Sequence, residues 1–315
     1  MDQTVTSRPA TIFIDGEAGT TGLGIRERLS GMEGVEIRSI DPQRRKDAAA
    51  RKALMAEVDL VVLCLPDEAA KEAVAFADEM GADAPRILDA STAFRIAPGW
   101  TYGFPELSPE QMQAVRTAAR VANPGCYPTG AIALLRPLVD AGLIPADHPV
   151  SINAVSGYSG GGRQMIESYE AGRAPAFELY GLSFGHKHLP ELQAYSRLTR
   201  RPIFIPSVGN FRQGMLVSIP LHLDTLPGRP SPADLEAALA ARYGTEGGVR
   251  VVPTVDGPKR AERIEPEALN DTDALELRVF SGEGGSQALL VARLDNLGKG
   301  ASGAAVQNIR LMLGL

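Results

Sequence analysis

Residues 10–32, "ATIFIDGEAGTTGLGIRERLSGM", change period part-way: an unbroken apolar run gives way to glycines and then to apolar residues at helical spacing. The run predicts a buried strand and "GEAGTTG" a tight turn. "LGIRERLSGM" predicts a helix, with Gly31 supplying its stop. Gly16, Gly19 and Gly22 depart from the G-x-G-x-x-G spacing by one residue in the first gap, yet they occupy the same place between a first strand and its helix. Glycines there let the turn tighten and the backbone approach a pyrophosphate, and the helix N-terminus receives that anion.

The alternation continues outward from this unit. "GVEIRSID", "VDLVVLCLP", "PRILDAS" and "ARVANPG" read as strands, and "AAARKALMAE", "DEAAKEAVAFADEMG" and "SPEQMQAVRTA" as the helices between them. Such order predicts a doubly wound parallel sheet with right-handed crossovers, a Rossmann-type α/β domain over residues 1–124. Beyond it the rhythm changes. A long helix from "TGAIALLRPLVDAG" is followed by "PVSINAVSG", "PIFIPSVG", "GMLVSIPLHLDTL", "VRVVPTV", "ALELRVFSG" and "QALLVARLDN" as strands, with helices at "RQMIESYEAG" and "SPADLEAALAARYG". Strands that outnumber helices and alternate apolar with polar residues predict an antiparallel α+β second domain over residues 125–300. The final helix, in residues 301–315, is expected to return to the first domain.

A chain of 315 residues suits two such domains, and a net charge of −6 offers no electrostatic footprint for nucleic acid. The longest apolar run, Leu60–Leu65, is far too short to cross a bilayer, and "MDQTVTSRPA" lacks the apolar stretch of a signal peptide, so a cytoplasmic address and no membrane partner are expected. Two cysteines make no disulfide framework. Cys64 ends an apolar run and reads as a packed small hydrophobe, whereas Cys126, in "NPGCYPTG", lies among turn residues.

Pro128 suits a first helical turn, which puts Cys126 at a helix N-terminus, where unpaired amides favour a thiolate over a thiol of ordinary pKa near ~8.5. Gly125 admits a close carbonyl, and the same amides can hold an oxyanion. Cys126 therefore reads as an activated nucleophile. Of four histidines, His148 and His222 read as structural; His186 and His188, in "FGHKHLPEL", supply an acid/base or, with Lys187, an anion site. A metal held by these histidines and Glu191 lacks a matching further ligand, so none is expected. "SGYSGGGRQ", residues 156–164, offers the backbone of Ser156 and Gly157 and the side chain of Arg163 to an anionic group. Asn296, in "LDNLGKGASG", precedes the last helix as a candidate close approach to a cofactor.

The cofactor follows from the end of the second strand. Asp41 stands near the place of a ribose-binding acid, but "PQRRKD" follows, and Arg44, Arg45 and Lys46 with Ser39 are suited to a 2′-phosphate. NADP is preferred to NAD.

With the glycine turn, "NPGCYPTG", "SGYSGGGR", "HKHLPE" and "DNLGKGASGAAVQN" in view, the chain resembles the N-acetyl-gamma-glutamyl-phosphate reductases of arginine biosynthesis, in their shorter form, within the aspartate-semialdehyde dehydrogenase-like superfamily. The likeness extends through "SIDPQRRKD", "CLPDEAAKEAV" and "DASTAFRIAPGWTYGFPEL". It implies Cys126 as nucleophile and His186 as acid/base, with His188 as the alternative, and Gly16, Gly19, Thr20, Gly22, Ser39 and Arg45 as NADP-binding residues. Asn296 would lie near the nicotinamide, and Ser156, Gly157, Arg163 and His188 near the substrate. Phe94 and Lys187 depart from the family, which often has histidine and arginine there. The implied reaction is reduction by NADPH of an acyl phosphate, N-acetyl-L-glutamyl 5-phosphate, through a cysteine thioester, in a homodimer or homotetramer. Reduction of aspartyl or N-blocked aminoadipyl phosphate, and a non-catalytic NADP-binding redox sensor, are the competing readings.

Overall fold

The computed structural model describes residues 8–254 and 263–315. The stretch before Arg8, read above for its lack of a signal peptide, and Val255, which ends "VRVVPTV", lie outside the described residues. The chain forms two compact units, the first comprising residues up to Gly103 together with Met112–Asn123 and Ala305–Leu315.

The first unit runs β1 (Ala10–Asp15), α1 (Thr20–Leu29), β2 (Val35–Arg38), α2 (Ala48–Met55), β3 (Leu60–Leu63), α3 (Asp67–Met80), β4 (Arg86–Asp89), β5 (Thr101–Tyr102), α4 (Gln111–Thr117) and β6 (Arg120–Ala122). Every pairing is parallel, in the order β2-β1-β3-β4-β6-β5. Both faces are covered, in keeping with the apolar run of the central strand β3, whereas the edge strand β2 alternates. Ile12, Ile14, Leu60, Val62 and Leu88 pack with Ile25 and Leu29 of α1 and with Ala305, Ile309 and Met312 from the end of the chain. On the other face Phe13, Val61, Leu63 and Ile87 pack with Met55, Ala73, Val74 and Ala77. β1 pairs with β2 on one side and β3 on the other, so the chain reverses its direction of winding at the ends of β1 and β3. Ligands of open parallel sheets bind at that point.

The second unit, Phe104–Gln111 and Pro124–Ala304, runs α5 (Cys126–Asp140), β7 (Ser151–Gly157), α6 (Gly162–Glu170), β8 (Phe177–Leu179), α7 (Leu189–Tyr195), β9 (Ile203–Gly209), β10 (Met215–His222), α8 (Pro232–Tyr243), β11 (Val249–Val251), β12 (Leu275–Ser281) and β13 (Gln287–Leu294). α9 (Gly303–Leu313) follows and carries the chain into the core of the first unit. The seven strands are ordered β11-β12-β13-β10-β7-β9-β8. The sheet is mixed, which corrects the antiparallel expectation: β7 pairs parallel with β9, and β11 with β12. The chain leaves β7 and returns to β9 through α6, β8 and α7, a connection long enough for a crossover.

α5 lies across one face of this sheet, against β10, β12 and β13. It is buried from Tyr127 through Leu138, and that burial keeps it helical despite Gly130 and Pro137. The opposite face leaves Phe177, Leu179 and Leu289 exposed around an open apolar depression of about 460 Å³. Among the described residues no helix is long and apolar enough to cross a membrane.

Candidate active site

In the first unit the glycine turn closes between β1 and α1. Gly16 has φ +92°, and a Cβ on it would overlap the Cys64 carbonyl; one on Gly22 would stand 2.5 Å from the Gly16 oxygen. These two glycines let the turn fold onto β3. Gly19 differs. It is the extended N-cap of α1 and makes no side-chain cap, and a Cβ there would meet only the Gly16 oxygen, at 3.4 Å. The turn thus leaves a side chain's worth of space before the first amides of α1, starting at Thr20, which is the space a pyrophosphate fits.

Ser39 follows β2 directly and donates to Glu17 Oε2 at 3.0 Å while accepting from Arg26 Nη1 at 2.7 Å. Arg26 also pairs with Glu17. Sequence reasoning missed Arg26: it precedes Ser39 by thirteen residues, and only the return of β2 beside α1 brings the two together. Asp41 accepts from the Gln43 amide at 2.8 Å, closing its own turn, and Arg44 is paired with Asp47, the N-cap of α2. Arg45 stands exposed in the same turn.

In the second unit Cys126 is the first residue of α5, with Gly125 as an extended N-cap and no side-chain cap. The residue before the cysteine is tied from α7: Glu191, 1% exposed, accepts from the Gly125 amide through Oε2 at 3.1 Å. Sequence reading weighed Glu191 as a metal ligand beside the histidines and did not link it to Gly125, since nothing local joins the two.

The rings of His186 and His188 lie 4.7 Å apart, and Tyr127, next to Cys126, meets them edge-on at 6.2 and 6.0 Å. Phe204 and Tyr180 complete the surround of His186 at 5.1 and 5.6 Å. Tyr180 donates to the Tyr127 hydroxyl at 3.2 Å, and that hydroxyl donates to the Ser207 carbonyl at 2.9 Å. Burial, and then the charge of Lys187, holds the His186 imidazole down at about 4. His186 is therefore neutral at pH 7. Its Nδ1 accepts from the His188 amide at 3.1 Å, which places the ring proton on Nε2. Burial pushes the Tyr180 phenol up to about 12 and raises that of Tyr127 as well, so both remain protonated donors.

The other expected residues are placed as follows. Ser156 is buried and donates to the Gly157 carbonyl at 2.9 Å. Gly157 lies where the backbone of Arg212 and Gln213 passes within 2.6 Å of a would-be Cβ, so close chain packing accounts for this glycine. Arg163 is exposed in the first turn of α6. Asn296 is 2% exposed; its Oδ1 accepts from the Gly214 amide at 2.8 Å and its Nδ2 donates to Ser159 at 2.9 Å, which anchors the glycine-rich loop. Among the described residues no three His, Cys, Asp or Glu side chains gather as a metal would require.

Residues 22–115 match the family described as semialdehyde dehydrogenase, NAD binding domain, and residues 126–296 the family described as semialdehyde dehydrogenase, dimerisation domain. Curated relatives are similar along almost the whole chain. N-acetyl-gamma-glutamyl-phosphate reductase of Chelativorans sp. (strain BNC1) is 54% identical, over 96% of this chain and 98% of that one. Those named so in Mesorhizobium japonicum and Brucella ovis are 52% and 53% identical, over 96% of this chain and 99% and 98% of theirs. Among solved structures, aspartate semialdehyde dehydrogenase II of Vibrio cholerae, complexed with ASA, superposes with TM-score 0.70 at 17% identity, covering 98% of this chain and 99% of that one. Aspartate semialdehyde dehydrogenase of Candida albicans, with NADP, superposes with TM-score 0.66 at 14% identity, covering 97% and 98%. The solved structures share the fold.

Proposed function

Because the chain belongs to the N-acetyl-gamma-glutamyl-phosphate reductases, within the semialdehyde dehydrogenases, we propose that it performs that reaction with Cys126 as its nucleophile. The enzyme reduces N-acetyl-L-glutamyl 5-phosphate to N-acetyl-L-glutamate 5-semialdehyde and phosphate with NADPH, a step of arginine biosynthesis. One observation carries the mechanism: Cys126 opens a fifteen-residue helix that no side chain caps, and Tyr127, the next residue, packs on the rings of two histidines of the same unit.

The Cys126 thiolate attacks the acyl carbon, the first amides of α5, which no side chain caps, hold the resulting oxyanion, and phosphate leaves to give a thioester. A bound nicotinamide dinucleotide supplies the hydride that takes the acyl group to the aldehyde level. His186, neutral in the free protein, presents Nε2–H to the substrate oxygens. A phosphate dianion beside this ring favours the imidazolium, so substrate arrival itself brings the proton that the leaving group takes. Glu191 holds the Gly125 amide and with it the start of α5. The first unit serves as the NADP-binding domain, Gly16, Gly19, Thr20 and Gly22 receiving the pyrophosphate and Ser39, Arg26 and Arg45 the 2′-phosphate. The second serves as the catalytic and oligomerisation domain, its exposed Phe177, Leu179 and Leu289 meeting a second copy in a cytoplasmic homodimer or a tetramer of such dimers.

The deciding experiment is phosphate-dependent reduction of NADP by the purified protein with N-acetyl-glutamate semialdehyde, beside aspartate semialdehyde and an NAD control. Turnover confined to the N-acetylated aldehyde and NADP is expected. Preference for aspartate semialdehyde would move the substrate assignment. Silence with every aldehyde while NADP still binds would support the redox sensor.

A further inference from the structure

Lys299 has no part in the chemistry above, yet it is buried, at 3% exposed, a place where an ammonium is rarely found without a purpose. It lies in a π-turn, Gly298–Ser302, between the end of β13 and α9. The turn is closed on itself: Gly300 donates its amide to the Asp295 carbonyl at 2.9 Å, and Ser302 donates both its amide and its hydroxyl to the Leu297 carbonyl, at 2.9 and 2.6 Å. The Lys299 Nζ donates to Glu106 Oε1 at 2.7 Å and sits over the Phe104 ring, 5.4 Å from its centroid. Glu106 belongs to the short segment Phe104–Gln111, which Arg242 also grips by donating to the Leu107 carbonyl at 2.6 Å.

The middle of this turn presses on the nucleophile. A Cβ added at Gly300 would stand 3.0 Å from the Cβ and 3.4 Å from the Cα of Cys126, and 3.0 Å from the Asp295 oxygen. Neither the helix backbone nor the Asp295 carbonyl can yield as a flexible side chain would. Resting on the reading of Cys126 as nucleophile, we propose that Gly300 and the ion pair of buried Lys299 with half-buried Glu106 are positioning residues. Glycine gives the turn its closest approach to the Cys126 backbone, and the ion pair fixes the height of the turn, so that the thiolate is held in one place relative to the amides of α5. Single π-turns are rare and recur at functional sites, in keeping with such a role. Misplacement by as little as about 1 Å can cost a reaction about a hundredfold.

The test compares Gly300→Ala, Lys299→Met, Lys299→Arg and Glu106→Gln with the parent in steady-state turnover, and in the pH dependence of iodoacetamide alkylation of Cys126, followed by peptide mass mapping. Gly300→Ala and Lys299→Met are expected to lower kcat by about tenfold to a hundredfold with little change in KM for NADPH, and to shift the midpoint of Cys126 alkylation upward. Lys299→Arg, which keeps the charge, is expected to restore part of the loss. Glu106→Gln, nearly isosteric, serves if the alanine variant does not fold, and is expected to lose kcat and shift the alkylation midpoint in the same sense. Parental kcat and alkylation profiles in Glu106→Gln and in whichever of the other variants fold would overturn the positioning role. Near-parental turnover in Cys126→Ser would instead overturn the nucleophile on which it rests, so the two failures are distinct.

Discussion

α1 and α5 begin alike. Each has a glycine N-cap in extended conformation, at φ −80° and −73°, and each lacks both a side-chain cap and an acidic residue in its first turn. A serine or aspartate there would stabilise the helix. Neither helix start is filled by such a side chain. The helices differ in the residue that follows the cap, Thr20 in one and Cys126 in the other. Under the proposed function the same kind of helix start would hold an anion in the first unit and make one in the second. The thiol behind the α1 turn sharpens the contrast: Cys64 follows a strand rather than opening a helix, and burial, then the charges of Asp89 and Asp15, pushes it up to about 12. Cys64 is thus held as a thiol, whereas the proposed role of Cys126 rests on its place at a helix start.

The widest break in the comparison is expected from Cys126→Ser. Turnover should fall by at least about a thousandfold while NADPH binding, followed by nicotinamide fluorescence, stays near the parent's. Next in size is the carboxylate pressing on Cys64. Burial raises Asp89 to about 6 although Ser91 donates both its amide and its hydroxyl to it. Folded Asp89 thus keeps a proton that the unfolded chain has lost. Its contribution to stability is full below the ordinary 3.8, fades as pH rises to about 6, and is gone above that, a change of about 3 kcal/mol. Denaturant unfolding of Asp89→Asn between pH 4 and 8 should lack that decline, and the Cys64 thiol should titrate lower.

Gly19→Asp asks whether the empty cap is kept for an anion. A carboxylate there should stabilise α1 by up to about 1 kcal/mol and weaken NADPH by about a hundredfold, because two negative groups would compete for the same amides. A stabilised variant that binds NADPH as before would remove the parallel between the two helix starts. The smallest effect is expected at the exposed Arg45: Arg45→Ala should weaken NADPH about tenfold more than NADH in paired titrations. Equal losses would take the 2′-phosphate from this turn.

Local signals were legible in the sequence. The change from an apolar run to glycines to helical spacing marked β1 and α1, and Pro128 after Cys126 marked the start of α5. Pairings between distant segments were not legible. β5 is two residues long, and β8 is three, with Phe177 and Leu179 exposed; neither is a strand until a neighbour bonds to it. Alternation along β7 and β9 announces strands without announcing that they run parallel. The same holds at the site. His186 and His188 stand two residues apart and were readable as a pair, whereas Glu191 reaches Gly125 from 66 positions away, and Arg26 reaches Ser39 only because β2 returns beside α1. What sequence hides here is side chains meeting partners far along the chain.

The return of α9 to the core of the first unit bears on how the protein is made. Ile12 and Ile14 leave the ribosome early, but Ile309 and Met312, which share their core, follow about three hundred residues later, which at about 5–20 residues per second means a wait of roughly 15–60 seconds. The second unit, complete at Ala304, has all its strands in hand before the first can close. The segment that begins the chain's architecture is thus among the last to be sealed. In the interval its apolar sheet face is a surface for chaperones to cover.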